Sequence, residues 1–95
     1  IYIIDTTGGD EALILAEELR RIGLSVDRSF DHRSMKSQMK AADRSGAQLA
    51  IIIGTDELDE NQVTLRDLRG DGTQIALDRQ SLTKTLPEML QETTK

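Results

Sequence analysis

The chain contains no cysteine and no tryptophan, and only one each of tyrosine, phenylalanine, proline and histidine among 95 residues. Without cysteine there is no disulfide framework and no thiolate metal site. His32 cannot build a metal centre alone. Tyr2 and Phe30 are too few for the stacking platform on which many single-stranded RNA binders lay their bases. A basic surplus is also missing: 17 acidic residues against 12 basic ones give a net charge of −5. Domains that hold nucleic acid through overall charge carry the opposite balance. Contact with RNA would have to run through a local patch, with most of the affinity supplied by other parts of a larger protein. No apolar run approaches the roughly 20 residues that cross a bilayer, and no segment has the basic start and apolar middle of a secretory leader. These absences lead to the expectation of a cytoplasmic protein. The phosphate-cradling patterns GxxxxGKS/T and GxGxxG do not occur either.

What remains is one domain, residues 1–95, large enough to bury roughly 60–65% of its unfolded surface around a modest core. Its centre is the uninterrupted apolar run Leu49-Ala50-Ile51-Ile52-Ile53. A strand that is apolar on both faces is covered on both faces, which places it in the middle of a sheet. Ile1-Tyr2-Ile3-Ile4 is a second such run and reads as an inner strand. The chain starts directly in this strand, without a methionine, and the expectation is a piece of a larger protein.

The other segments follow in order. Asp10 reads as an N-cap, and Ala12, Leu15, Ala16, Leu19 and Ile22 form a helical stripe that Gly23 closes. Leu24–Arg28 alternates and reads as an edge strand; strand, helix and strand at this spacing make a parallel βαβ unit. Ser34 caps a second helix running to about Ser45, with Met35, Met39 and Ala42 buried and Lys36, Lys40 and Arg44 on an adjacent stripe. After Gly54 comes an acidic turn, Thr55–Glu60, then alternating Val63–Leu68, then Thr73–Asp78 beyond a short turn. Connections this short join antiparallel neighbours. Leu82, Leu86, Met89 and Leu90 form a last helical stripe; Thr85 and Glu88 around Pro87 suggest a break and a restart near Leu86. The fold class is α/β, three layers, with a five-stranded mixed sheet and about three helices.

Two candidate sites carry little chemistry. Gly8-Gly9 before a helix could cradle a phosphate, but Asp10 would repel it, and a plain strand-to-helix turn is the commoner use. Asp56, Glu57, Asp59 and Glu60 are clustered carboxylates with no histidine or basic partner tied to them, which describes a solvated loop better than an acid–base centre. No catalytic constellation and no metal site stand out.

The sequence Met39-Lys40-Ala41-Ala42-Asp43-Arg44-Ser45-Gly46-Ala47, followed by Ile51-Ile52-Ile53-Gly54, Asp56-Glu57-Leu58 and Val63-Thr64-Leu65-Arg66-Asp67-Leu68, resembles the C-terminal anticodon-binding domain of bacterial histidyl-tRNA synthetases. The order and spacing of these pieces carry the resemblance, most specifically from Lys36 to Arg69. It implies strand order 2-1-3-4-5 with the fourth strand reversed, in agreement with the local reading. It further implies a parent that joins histidine to tRNA(His) with ATP and Mg²⁺ as a homodimer, and a domain that meets the anticodon stem-loop beside the parent's catalytic domain. The domain itself would need no cofactor and perform no chemistry.

In the related threonine enzyme, the positions matching Glu57 and Arg66 contact anticodon bases, and the one matching His32 lies near them. Arg33 is grouped with His32. Glu57 stands past the central strand and Arg66 on the strand that doubles back beside it, so both are expected at one end of the sheet. A carboxylate can accept from guanine's ring N–H and amino group, and arginine suits guanine's acceptor edge; the histidine anticodon has guanine at its first and third positions. The plainer alternative is a surface charge pair of Arg66 with Asp67 or Glu57, worth little. Lys36, Lys40 and Arg44 are candidate phosphate contacts, although a charged helical stripe is usually only a wet face. Two other functions fit the same residues: a synthetase-like tRNA-sensing or dimerisation domain in a regulatory protein such as a stress-sensing kinase, and an unrelated α/β ligand-binding module using the loop ends near Gly8 and Gly54.

Overall fold

Leu49–Ile53 forms the middle strand, β3, of a five-stranded sheet. The computed structural model describes residues 1–7, 10–28, 34–70 and 72–93, with backbone alone for 89–93. Every residue of β3 is buried. Side chains alternate across a strand, so Leu49, Ile51 and Ile53 enter one core while Ala50 and Ile52 enter a second on the opposite face.

The neighbours of β3 follow from the same alternation. β1 (Tyr2–Asp5) pairs parallel to it, with Ile3 facing the first core and Tyr2 and Ile4 the second. β2 (Asp27–Arg28) pairs parallel to the outer side of β1. β4 (Gln62–Asp67) returns antiparallel beside β3, and β5 (Gln74–Asp78) antiparallel beside β4. The order is β2-β1-β3-β4-β5, with β4 reversed as expected. The first core is closed by α1 (Asp10–Arg21), through Ala12, Leu15, Ala16 and Leu19, and by Leu82 and Leu86 of α4 (Leu82–Thr93). The second is closed by α2 (Met35–Arg44), through Ala42 and half-buried Met39 and Ala41. Three layers result, with helices on both faces of the sheet.

Several local expectations give way to tertiary demands. The acidic segment is a short helix, α3 (Thr55–Asp59), in which the Gly54 N–H donates to the Glu57 carboxylate at 3.2 Å. Acidic side chains suit the positive end of a helix, so the run that reads as a turn is a helix start. α1 begins at Asp10, but the carboxylate that accepts from its first turn is Asp5, from the Ala12 N–H at 3.0 Å. Asp5 thereby locks the end of β1 to α1, while Gly23 (φ 91°) turns the chain out of the helix as expected. Ile22 is 43% exposed, because α1 has ended before it. β2 spans only two residues of the expected Leu24–Arg28 strand.

On α2 the buried polar residue is Gln38, which sequence periodicity does not single out. Its amide donates to the Asp5 carbonyl at 3.2 Å and accepts from the Asp5 N–H at 3.1 Å. This two-way bond pins α2 to the end of β1, where an unpaired backbone group would be costly. Met35, by contrast, is 37% exposed.

α4 runs unbroken through Pro87, preceded by a 3₁₀ turn at Arg79–Ser81. The expected break at Leu86 does not occur. Leu82 and Leu86 are fully buried one turn apart and hold the first turns of the helix on the sheet up to the proline. The side chains of Met89 and Leu90 lie outside the described residues, as do Gly8 and Gly9.

Two measurements check this packing. Ile51→Ala, at a fully buried site, is expected to lower unfolding free energy by about 2–5 kcal/mol, with Ile52→Ala at the lower end because Ile52 is 8% exposed; a loss under about 1 kcal/mol for both would contradict a doubly covered β3. Pro87→Ala restores a helix donor and removes a clash, and should raise stability by up to about 3 kcal/mol. An unchanged or lower melting temperature would contradict an unbroken α4.

Candidate nucleic-acid interface

The two faces of the sheet are not covered equally. On β4 the alternation sends Val63 and Leu65 into the first core and Thr64 and Arg66 to the α2 side. Opposite them on β5 stand Ala76 and Gln74, both exposed. The β4–β5 ribbon therefore presents a polar, accessible surface beside α2. On it the Arg66 guanidinium donates to the Gln74 side-chain carbonyl at 2.9 Å, a cross-strand pair that gives the arginine a fixed direction.

Between this ribbon and α2 lies an open hollow of about 630 Å³. Lys36 and Lys40, one helical turn apart, line it from α2, and Arg66 lines it from the sheet. Met39 and Leu68 form its floor and pack on the second core. Among the described residues two acids also border it, and both are engaged. Asp67 accepts from the backbone N–H groups of Arg69 (3.1 Å) and Gly70 (2.9 Å). Asp43 stands 3.7 Å from the Arg69 guanidinium, which also donates to the carbonyls of Asp43 (2.7 Å) and Ala47 (3.0 Å). Arg69 thus ties the β4–β5 turn to the end of α2 and neutralises an acid at the rim. A side chain at Gly70 would push the Asp67 carboxylate out of its place against the turn. A domain of net charge −5 carries a locally cationic hollow.

The candidate site residues fall in separate places. Lys36, Lys40 and Arg66 come together. Arg44 is exposed and stands outside the hollow's lining. Glu57 sits on α3, beyond the other end of β3, where it borders a small cleft with Glu11, Asn61 and Arg79 on the α1 side. Arg66 pairs with Ala50, four residues before Gly54, a separation of about 13 Å along the strand. The expectation that Glu57 and Arg66 share one end of the sheet is therefore corrected: an antiparallel strand that doubles back carries its later residues away from the turn. His32 and Arg33 lie outside the described residues.

Sequence reasoning missed Gln74 and Arg69. The first was within reach, because counting back from a short β4–β5 turn sets Arg66 opposite Gln74. The second was not, since its partners are carbonyls on a distant helix end. Among the described residues no group of His, Cys, Asp or Glu is arranged to hold a metal ion, and no helix is long and apolar enough to cross a membrane. Removing the Arg69 ties by Arg69→Ala should lower unfolding free energy by about 1–2 kcal/mol, read from the denaturant midpoint. A change within about 0.3 kcal/mol would mean that these bonds do not hold the turn to α2.

Comparison with known proteins agrees with this architecture. A family model described as an anticodon binding domain matches residues 1–89. A histidine–tRNA ligase of Methylobacillus flagellatus is 46% identical over 76 residues, covering 78% of this chain and 18% of that protein. One from Solidesulfovibrio magneticus is 39% identical over 72 residues, covering 76% of this chain and 17% of that protein. The crystal structure of histidyl-tRNA synthetase from Nostoc sp. PCC 7120 superposes with a TM-score of 0.78 and 29% identity, covering 94% of this chain and 22% of that one. The chain spans under a fifth of the length of these two ligases. A match of this extent over the sheet and all its helices makes this chain a member of the anticodon-binding domain family.

Proposed function

We propose that this chain is the anticodon-binding domain of a histidyl-tRNA synthetase, whose full-length form ligates histidine to tRNA(His) with ATP and Mg²⁺ and works as a homodimer. The observation that carries the reading is the 46% identity to a histidine–tRNA ligase across 78% of the chain, supported by the fold shared with a histidyl-tRNA synthetase. The domain's task is recognition, with the chemistry in the parent's catalytic domain.

Glu57 is the residue proposed to read a base, with His32 and Arg33 as further candidates that the family resemblance supplies. The Gly54 N–H orients the Glu57 carboxylate at the loop end, at 3.2 Å. A carboxylate has about four lone-pair sites, so this bond leaves others to accept from the ring N–H and amino group of a guanine. Substitution of that acceptor by a donor would set donor against donor.

In the full-length synthetase, Glu57→Gln should lower kcat/KM for tRNA(His) by about 5- to 150-fold, the equivalent of about 1–3 kcal/mol for one bidentate base contact. Discrimination against an anticodon-mutated tRNA should narrow by the same factor, and ATP-dependent activation of free histidine should stay at the wild-type rate. Unaltered discrimination would remove Glu57 from the recognition site.

A further inference from the structure

We infer that the hollow between α2 and the β4–β5 ribbon is a clamp for the RNA sugar–phosphate backbone, in which Lys36, Lys40 and Arg66 take phosphates and Gln74 positions Arg66. This rests on the anticodon-binding reading, and it separates two tasks within it. The Glu57 end of the sheet reads sequence; the hollow holds the strand in register.

Three observations carry the assignment. The first is convergence of charge. Lys36 and Lys40 project from one turn of α2 and Arg66 from β4 into the same open space, whereas Asp43 and Asp67 at its border are occupied by Arg69 and by turn N–H groups. In an acidic chain, a hollow where three cations converge attracts a polyanion to that place, which favours orientation as well as affinity. The second is the geometry of Arg66. Its Nη1 is already given to Gln74, at 2.9 Å. That bond holds the guanidinium on the open face and leaves its Nε–H and Nη2–H groups to donate to phosphate oxygens. The third is the surroundings. Thr64 and Gln74, with the small Ala76, provide a shallow sheet surface, and Gly70 and Gly72 place no side chain where they themselves border the hollow. A backbone can lie across such a surface with its bases directed elsewhere. The occupant is an RNA strand of the anticodon stem-loop.

Gln74 acts through Arg66 rather than on the RNA alone. Its carbonyl fixes the guanidinium on the open face, so that less side-chain freedom is lost when phosphate arrives. Gln74→Leu is expected to weaken binding by less than loss of the arginine, and to have no added effect once Arg66 is replaced.

The test measures Kd of the full-length synthetase for tRNA(His) and for an anticodon-mutated tRNA over a range of salt, with melting curves to show that each variant is folded. Arg66→Gln should weaken both RNAs alike, by roughly three- to tenfold, and reduce the slope of log K against log salt by about 0.7 to 0.9, the contribution of one phosphate. Lys36→Gln and Lys40→Gln should behave in the same way. Arg66→Lys should restore most of the affinity and the slope, because a phosphate accepts a point charge where a base edge needs the planar fork. If Arg66→Lys fails as badly as Arg66→Gln and discrimination between the RNAs narrows, Arg66 reads a base; the clamp is then wrong and the anticodon reading stands. If none of the three cations affects Kd or slope while Glu57→Gln still narrows discrimination, the RNA backbone lies elsewhere and the clamp is again wrong. If Glu57→Gln also changes nothing, Glu57 leaves the recognition site as well; only a wild-type enzyme that treats the two RNAs alike would sink the anticodon reading itself.

Discussion

Burial of both faces of β3 is the constraint on which the rest of the structure depends. Five consecutive apolar residues cannot meet water on either side. One face therefore recruits α1 and the start of α4, and the other recruits α2. The parallel neighbour β1 shares this double burial, and its last residue, Asp5, serves as the junction. Its carboxylate receives the first turn of α1, and its backbone receives Gln38 of α2. The helices on opposite faces are thus fixed to one point at the end of one strand.

Coverage stops short on one side, and the proposed RNA surface lies there. The α2 layer is a single short helix, so it closes the second core and leaves the β4–β5 ribbon bare on that face. Thr64, Arg66 and Gln74, with the small Ala76, face outward on the ribbon. The same alternation that buries Val63 and Leu65 delivers Arg66 to the open side. The core and the proposed RNA surface thereby use opposite faces of one strand, so Arg66 can be substituted without opening a core.

Much of this architecture was legible in the sequence, because long-range burial and local pattern agree there. The apolar run at Leu49–Ile53, the alternation at Val63–Leu68 and the helical stripe Ala12-Leu15-Ala16-Leu19 each admit one reading. Failures came where a residue's partner is distant in sequence. Asp5 displaced Asp10 as the acceptor at α1, Gln38 took a buried position that its polarity argues against, and Pro87 was tolerated because Leu82 and Leu86 anchor α4. The placement of Glu57 and Arg66 failed for a different reason. Adjacency of two strands does not fix which residues face each other; register does, and Ala50 opposite Arg66 sets the arginine well away from the α3 end. The basic hollow was half visible as the stripe Lys36 and Lys40. Its other wall, and the neutralisation of Asp43 by Arg69, appear only in three dimensions.

The most direct test of a polar RNA face on the α2 side of the β4–β5 ribbon is backbone amide chemical-shift mapping. The isotope-labelled domain would be titrated with the anticodon stem-loop of tRNA(His). Shift changes are expected at Lys36, Lys40, Thr64, Arg66, Gly72 and Gln74, weaker at higher salt, with the α1 residues Leu13, Ile14 and Glu17 unmoved. Changes concentrated on α1 and α4, with the ribbon silent, would contradict it.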